Sequence, residues 1–586
     1  MSEQLGWRSR RAFLQQAVAL SGASLGASNL LAQAGAVDGQ LATETATVAS
    51  GRNGAAATVS PLASQAAMQA FDRGGSAIDA AVAASLMLSV VDGHNSGLGG
   101  GCLALVRTAA GKVFALDGRE MAPAAATPEM FYTDGKPDPS KSQVGPLASG
   151  VPGLLAALVH LTDHHGKLEM TDALHGAAER ADEGFAIPKS YANRLRSVAS
   201  TLRKFPASAD VLLKSDGTPW RAGETLRQPD LASTLRSMAE HGPEWFYGGP
   251  FAETAESFMA SVGGMLTRKD FQNYRTVVRQ PVEAKYRGNL VLGCPPPSSG
   301  GIHNAQMLGM LGAFDVKQIF DESEAAGRHL LMEVMKRAMA DRAYWLGDAD
   351  FTNVPRGLLD QDYLRSRGAS IDLERAVKVA SHGQPPRADV DLFGSGGHTT
   401  HLTTADAEGN VVALTQTVNT TFGSKVIVPG TGIVLNNELD DFSIAPGVRN
   451  AFGLLGSEAN LIAPGKRPLS SMSPTIVLNG GEPLLTCGAA GGPKIITSVL
   501  QVLVRVLDLG QTVAEAIAAP RTHHQWSPDV AVCEAKVSDE VVDQLKGMGH
   551  QTQRIGTAAV AQGLQFADGM LMAASDPRVE SSAVAS

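Results

Sequence analysis

The sequence predicts a mixed α/β chain, on three observations. Polar and apolar residues alternate on both sides of Asp406-Ala407-Glu408-Gly409-Asn410, a cluster of turn formers, which is the pattern of a β-hairpin. From Ser60 to Val91 the pattern is that of two helices, the second Ala-rich and apolar almost all round. At 586 residues, 44% of them hydrophobic and 63 of them glycine, the chain is long enough for a large buried core.

Taken in order, the first 34 residues do not read as part of the fold. Ser9-Arg10-Arg11-Ala12-Phe13-Leu14-Gln15 is a twin-arginine pattern, an apolar run extends from Ala17 to Leu31, and Ala32-Gln33-Ala34 fits a small-x-small cleavage site. The expectation is twin-arginine export to a bacterial periplasm, with a soluble mature protein, since no other apolar run is long enough to span a bilayer. A net charge of −9 without a long basic run argues against nucleic acid and anionic membrane as partners. Cys102, Cys294, Cys487 and Cys533 are scattered, which fits buried free thiols rather than a disulfide framework or a zinc site.

Ser60-Pro61 starts the first helix, Gly74-Gly75 ends it, and Ser76 caps the second. The glycines of Asn95 to Cys102 serve close backbone packing, because a dinucleotide loop would need a strand before them and a different glycine spacing. Leu103 to Leu116 reads as a strand pair leading to Arg119, whose planar guanidinium suits a carboxylate. Gly150 to about Asp270 is mostly helical, and Leu330 to Trp345 reads as an amphipathic helix. Ala380 to Gly397 has the composition of a linker.

Beyond the hairpin, Gly432 to Leu435 reads as a short strand, Asn436 to Ser443 as a polar loop, and Pro446 to Ala459 as a glycine-rich loop. Gly488-Ala489-Ala490-Gly491-Gly492-Pro493 opens a helix from Ile495 to Leu509. A glycine pair there can present backbone N–H groups to an anion. Thr512 and Glu515 have the spacing of a capping box, and His523-His524 a structural role.

A turn centred on Glu408 puts Thr399 opposite Thr417. A Thr opening a strand after the supple Phe393-Gly394-Ser395-Gly396-Gly397 loop has two readings. It is either a β-branched strand residue, or a residue that becomes a chain N-terminus on cleavage, whose α-amine then serves as base for its own hydroxyl.

Thr399-Thr400-His401, Asn419 to Gly423, Asn436 to Phe442, Pro468 to Pro474 and Asp117 to Pro123 occur in this order and together resemble the γ-glutamyltransferase family of N-terminal-nucleophile hydrolases. The resemblance runs from about Gly51 to the C-terminus. It implies a four-layer αββα sandwich cut by itself at His398–Thr399. The pieces would be a large subunit, residues 35–398, and a small one, residues 399–586, paired as one interwoven globule, so that the linker is a processing loop.

By the same resemblance Thr399 is nucleophile and base, Thr417 holds its hydroxyl, and Gly491 and Gly492 form the oxyanion hole. Arg119, Ser470 and Ser471 bind the α-carboxylate of a γ-glutamyl donor, while Asn419, Glu438 and Asp441 bind its α-ammonium. Water or an amine accepts the glutamyl group, and no metal or organic cofactor is implied. Pro446 to Leu455 resembles the lid loop of bacterial members, with Phe452 where Tyr is common, and Gly118 replaces the bulkier residue of some members and would leave more room beside Arg119. Two alternatives stand beside this reading: a related acylase acting on glutaryl-type amides, and an uncut glutamyl-binding protein.

Overall fold

The computed structural model describes residues 45–386 and 400–586. The proposed export segment and the loop that includes His398 and Thr399 lie outside them. Two seven-stranded sheets form the centre. One runs in the order Thr47–Gly51, Met570–Ser575, Val560–Ala567, Glu482–Ala490, Thr475–Asn479, Asn289–Gly293 and Val282–Tyr286. The other runs Ser582–Ala585, Gly54–Thr58, Thr400–Asp406, Val411–Thr417, Gly101–Arg107, Val113–Gly118 and Val277–Arg279. All these neighbours are antiparallel.

Strand alternation divides the core into layers, because successive side chains point to opposite faces of a sheet. Leu103, Leu105, Ala405, Ala413, Ile476, Leu564 and Ala573 meet between the two sheets. The opposite face of the second sheet, with Ala104, Val106, Leu402 and Leu414, packs against helices that include Ala77–Val91 and Leu154–His165. The outer face of the first, with Val477, Leu485 and Ala489, packs against Glu324–Trp345 and Lys494–Leu507. The order is therefore helix, sheet, sheet, helix, the expected αββα sandwich.

Local signals account for many boundaries. Ser76 and Asp79 make a reciprocal capping box, and so do Thr512 and Glu515. The four cysteines are buried free thiols. Gly99 and Gly100 pack backbone on backbone: a Cβ there would lie 2.0 Å from the Val434 carbonyl oxygen and 1.7 Å from that of Thr417. Among the described residues no helix is long and apolar enough to cross a membrane.

Three expectations need correction. Leu330 to Trp345 belongs to a longer helix, Glu324–Trp345, which is buried along most of its length rather than amphipathic. Its charges are mostly neutralised inside the protein, as where Glu333 meets Lys336 at 2.5 Å and Arg337 at 2.7 Å, so hydrophobic periodicity misjudged its surroundings. Gly432 to Leu435 forms no strand, only a bridge between Ile427 and Val434. Gly118 leaves no room beside Arg119: a Cβ there would lie 2.7 Å from Ala157 Cβ and 2.9 Å from Cys102 Sγ, so the glycine serves contact between strand and helix.

Candidate active site

The site is built around the hairpin of Thr400–Asp406 and Val411–Thr417. Thr400 faces Gln416, His401 faces Thr415 and Ala405 faces Val411, which is the register expected from the turn. Asp406 fixes the turn, its carboxylate accepting hydrogen bonds from the backbone N–H groups of Glu408 and Asn410, both at 3.0 Å. It also accepts from Ala77 N at 2.7 Å, tying the turn to the start of a helix. The Thr400 hydroxyl donates to the buried carboxylate of Asp92. Burial pushes the Asp92 pKa up to about 7, against the hydrogen bonds from Thr400 and Asn95. Periodicity around Asn95 to Cys102 shows nothing of this contact, since Asp92 lies 308 positions from Thr400.

Thr417 ends the second strand, buried, and its hydroxyl accepts from Asn419 N at 2.7 Å. Asn419 takes φ +75°, a left-handed conformation that Asn tolerates better than most residues. Its Nδ2 donates to the Asn437 carbonyl at 2.8 Å, while its buried Oδ1 has no partner among the described residues. Asn437 Oδ1 accepts from Thr420 N at 2.9 Å, so the two Asn-rich segments hold one another.

Asn436 to Ser443 is buried and contains a turn of 3₁₀ helix, Glu438–Asp441. This turn brings Glu438 and Asp441 to Arg119, at the end of Val113–Gly118. The Arg119 guanidinium donates to Glu438, to Asp441 Oδ2 at 2.8 Å and to Glu120 Oε2 at 3.2 Å. Burial alone would lower its pKa, but the charges of Glu438, Glu120 and Asp441 outweigh that and raise it. Burial pushes Glu438 and Asp441 well above the usual carboxylate range, with Arg119 opposing. Glu120, pushed up to about 7, is a third carboxyl here that the sequence reading missed although it adjoins Arg119.

The segment from Pro468 to Pro474 lies beside this cluster. Ser299 donates to the Ser470 carbonyl from its N–H at 3.1 Å and its hydroxyl at 2.8 Å. Ser470 Oγ accepts from Met472 N at 3.1 Å, and Ser471 Oγ from Arg342 Nη2 at 3.3 Å. Arg342 also escaped the sequence reading, since an arginine near the end of a helical pattern looks like an exposed charge. A cavity beside Asp441 is lined by Arg342, Ser443, Asn450, Asn460 and Leu469. The lid-like segment closes one side, with Ala451 N donating to Asp440 Oδ2 at 2.9 Å and Asn450 Nδ2 to Asp441 Oδ1 at 3.5 Å.

Gly491 and Gly492 follow the strand Glu482–Ala490 and precede the helix Lys494–Leu507. Their φ values, +144° and +67°, lie where glycine is favoured, and a Cβ on Gly491 would lie 2.9 Å from Ala559 Cα. His523 has the expected structural role, buried with Nδ1 2.9 Å from the Thr497 hydroxyl. One group of metal-type side chains, His329, Glu333 and His550, occurs elsewhere among the described residues. There the Glu333 carboxylate already carries two cations, Lys336 and Arg337, so the group is poorly disposed to an added metal ion.

The αββα sandwich, with its central hairpin from Thr400 to Thr417 and a buried Arg–carboxylate cluster, fits the class of N-terminal-nucleophile hydrolases. A family profile described as Gamma-glutamyltranspeptidase matches residues 63–586. The chain is 40% identical over 530 residues to the glutathione hydrolase proenzyme of Escherichia coli (strain K12), covering 90% of both proteins. It is 36% identical over 516 residues to the Acylase ACY 1 proenzyme of Pseudomonas sp. (strain SE83), covering 86% of this chain and 88% of that one. Among solved structures it is similar to a cephalosporin acylase from Bacillus halodurans, with a TM-score of 0.82 and 28% identity over 92% of this chain and 97% of that one. The chain belongs to the γ-glutamyltranspeptidase family, and it is an enzyme with γ-glutamyl transferase and amide hydrolase activity.

Proposed function

We propose that the chain matures by cutting itself at His398–Thr399, and that the new N-terminal Thr399 transfers γ-glutamyl groups from glutathione-type donors to water or an amine. The hairpin register is the observation that carries this reading. Thr400 faces Gln416, and a register that continued by one residue would set Thr399 opposite Thr417, which supports the reading. In the precursor the Thr399 hydroxyl adds to the His398 carbonyl, the C–N bond breaks as the amide nitrogen takes a proton, and water hydrolyses the resulting ester. Residues 35–398 and 399–586 remain together as large and small subunits.

In the mature enzyme Thr399 Oγ attacks the γ-amide carbon while its α-amine takes the hydroxyl proton. Free α-amines titrate at about 7.7–8.0 and burial lowers this, so a substantial share is neutral near pH 7 to 8. Thr417 orients the hydroxyl, and the N–H groups of Gly491 and Gly492 receive the oxyanion. The α-ammonium passes its proton to the leaving amine, and a γ-glutamyl ester remains. Water or an acceptor amine then adds to that ester and releases Thr399. Arg119, Ser470 and Ser471 bind the donor's α-carboxylate, and Asn419, Glu438 and Asp441 its α-ammonium. The ammonium site favours γ-glutamyl donors over the glutaryl-type substrates of an acylase, which have no charge to place there. The arginine pair at Arg10-Arg11 and the apolar run after it support export through the twin-arginine route to the periplasm.

The test is a denaturing gel with N-terminal sequencing, on wild type and Thr399→Ala. Wild type should give two bands, the smaller beginning at Thr399, and hydrolyse γ-glutamyl-p-nitroanilide, whereas Thr399→Ala should give one band and no turnover. A wild type that stays whole while hydrolysing the anilide would refute the mechanism.

A further inference from the structure

Seven arginines, at positions 107, 119, 328, 337, 342, 467 and 521, are buried among the described residues. Six have a carboxylate within salt-bridge distance. Arg342 has none. Its Nε donates to Ser299 Oγ at 3.0 Å and its Nη2 to Ser471 Oγ at 3.3 Å, both neutral hydroxyls, although only 2% of its surface is exposed. A buried charge without a counter-charge is costly, and a protein that keeps one gains from a ligand that supplies the opposite sign. Burial lowers the Arg342 pKa to about 10, with only Asp441 opposing, which leaves the side chain charged at neutral pH.

The surroundings indicate what that ligand carries. Arg342 lines the cavity beside Asp441, and its partner Ser471 belongs to the segment assigned to the donor's α-carboxylate. Arg119, the other cation assigned to that carboxylate, already meets Glu120, Glu438 and Asp441, so the charge around it is balanced or negative. Ser471 Oγ accepts from Arg342, which turns its own proton away from the guanidinium. Among the described residues that hydroxyl donates to no acceptor, so its proton is available to an incoming carboxylate.

We propose that Arg342 is the positioning and specificity-determining residue of the donor site, orienting the Ser471 hydroxyl and supplying the positive charge that makes an α-carboxylate a requirement of the donor. The inference rests on the γ-glutamyl reading and deepens it.

The experiment compares matured wild type with Arg342→Gln, Arg342→Lys and Ser471→Ala on two anilides. One is γ-glutamyl-p-nitroanilide. The other is 4-aminobutyryl-p-nitroanilide, which has the same chain and ammonium but no α-carboxylate, assayed at high enzyme concentration. Arg342→Gln should raise KM for the γ-glutamyl anilide about 10- to 100-fold, the range of a lost charge-assisted hydrogen bond, with kcat within about threefold. Its kcat/KM for the aminobutyryl anilide should stay within about threefold, so the preference between donors collapses. Ser471→Ala should lose part of the same preference, and Arg342→Lys, which keeps the charge, should retain most of it.

Equal losses on both donors would reduce Arg342 to a structural role and overturn the proposal, as would an unchanged preference. If Arg342→Gln fails to mature, the other two variants decide: a Ser471→Ala enzyme with wild-type preference overturns it. A matured wild type that ignores the γ-glutamyl anilide would instead sink the underlying γ-glutamyl reading.

Discussion

Asp92 shows how far a single side chain can depend on partners remote in sequence. Its carboxyl accepts from Thr400, the residue after the proposed nucleophile, and burial pushes its pKa up to about 7. A carboxyl whose folded-state pKa lies above its unfolded value binds more protons when folded. Its contribution to stability is therefore full below about pH 4 and is lost as the pH rises from there to about 7. Asp92→Asn keeps an acceptor for Thr400 but cannot charge. The thermal midpoint of this variant relative to wild type should rise between pH 5 and pH 8, by an amount on the order of 1–4 kcal/mol in stability. A difference that is flat or falls with pH would contradict the assignment. Arg119 teaches the complementary lesson. Its position at a strand end and its suitability for a carboxylate were readable, but the three carboxyl groups that balance it were not, because two of them arrive on a turn of helix distant in the chain.

At the scale of elements, the hairpin was legible because local chemistry sets it: alternation fixes the strands and the turn formers fix the register. What holds its far end in place was only half legible. The glycines before Cys102 were expected to serve close packing, and Gly100 does so against the Thr417 carbonyl, 1.7 Å from where its Cβ would sit. Gly100→Ala must therefore displace the end of the Val411–Thr417 strand, where the proposed Thr399–Thr417 pair forms. On a denaturing gel this variant should remain mostly uncut, with processing slowed by on the order of 10²-fold, as when a reacting group is misplaced by about 1 Å. Normal cleavage of Gly100→Ala would show that strand position at Thr417 is not limiting. The helix Glu324–Trp345 was misjudged for the opposite reason. Sequence pattern records which faces are polar, and it cannot record that most of those charges are neutralised inside the protein, as where Glu333 meets Lys336 and Arg337.

For the whole molecule, the two sheets mix strands from either side of residue 399. Gly54–Thr58 and Gly101–Arg107 flank the hairpin in one sheet, and Asn289–Gly293 pairs with Thr475–Asn479 in the other. A cut ahead of Thr399 severs none of these ladders. The processed chains should thus elute together as one species in native size-exclusion chromatography and separate only under conditions that unfold the sheets. Subunits that part in native buffer would mean that the cut falls elsewhere or that the sheets open after it.

The sequence by itself determined the hairpin register, the capped helices, the buried free thiols and, through motifs in a fixed order, the family. These depend on neighbours a few positions apart, or on residue types that few alternatives would place together. Tertiary structure alone decided that Gly118 packs strand against helix, that Glu324–Trp345 is buried, and that Arg342 stands beside Ser471 with no carboxylate among the described residues in salt-bridge range. Each is a question of what comes to lie next to a side chain from far along the chain. Burial and charge balance arise only when those distant segments meet.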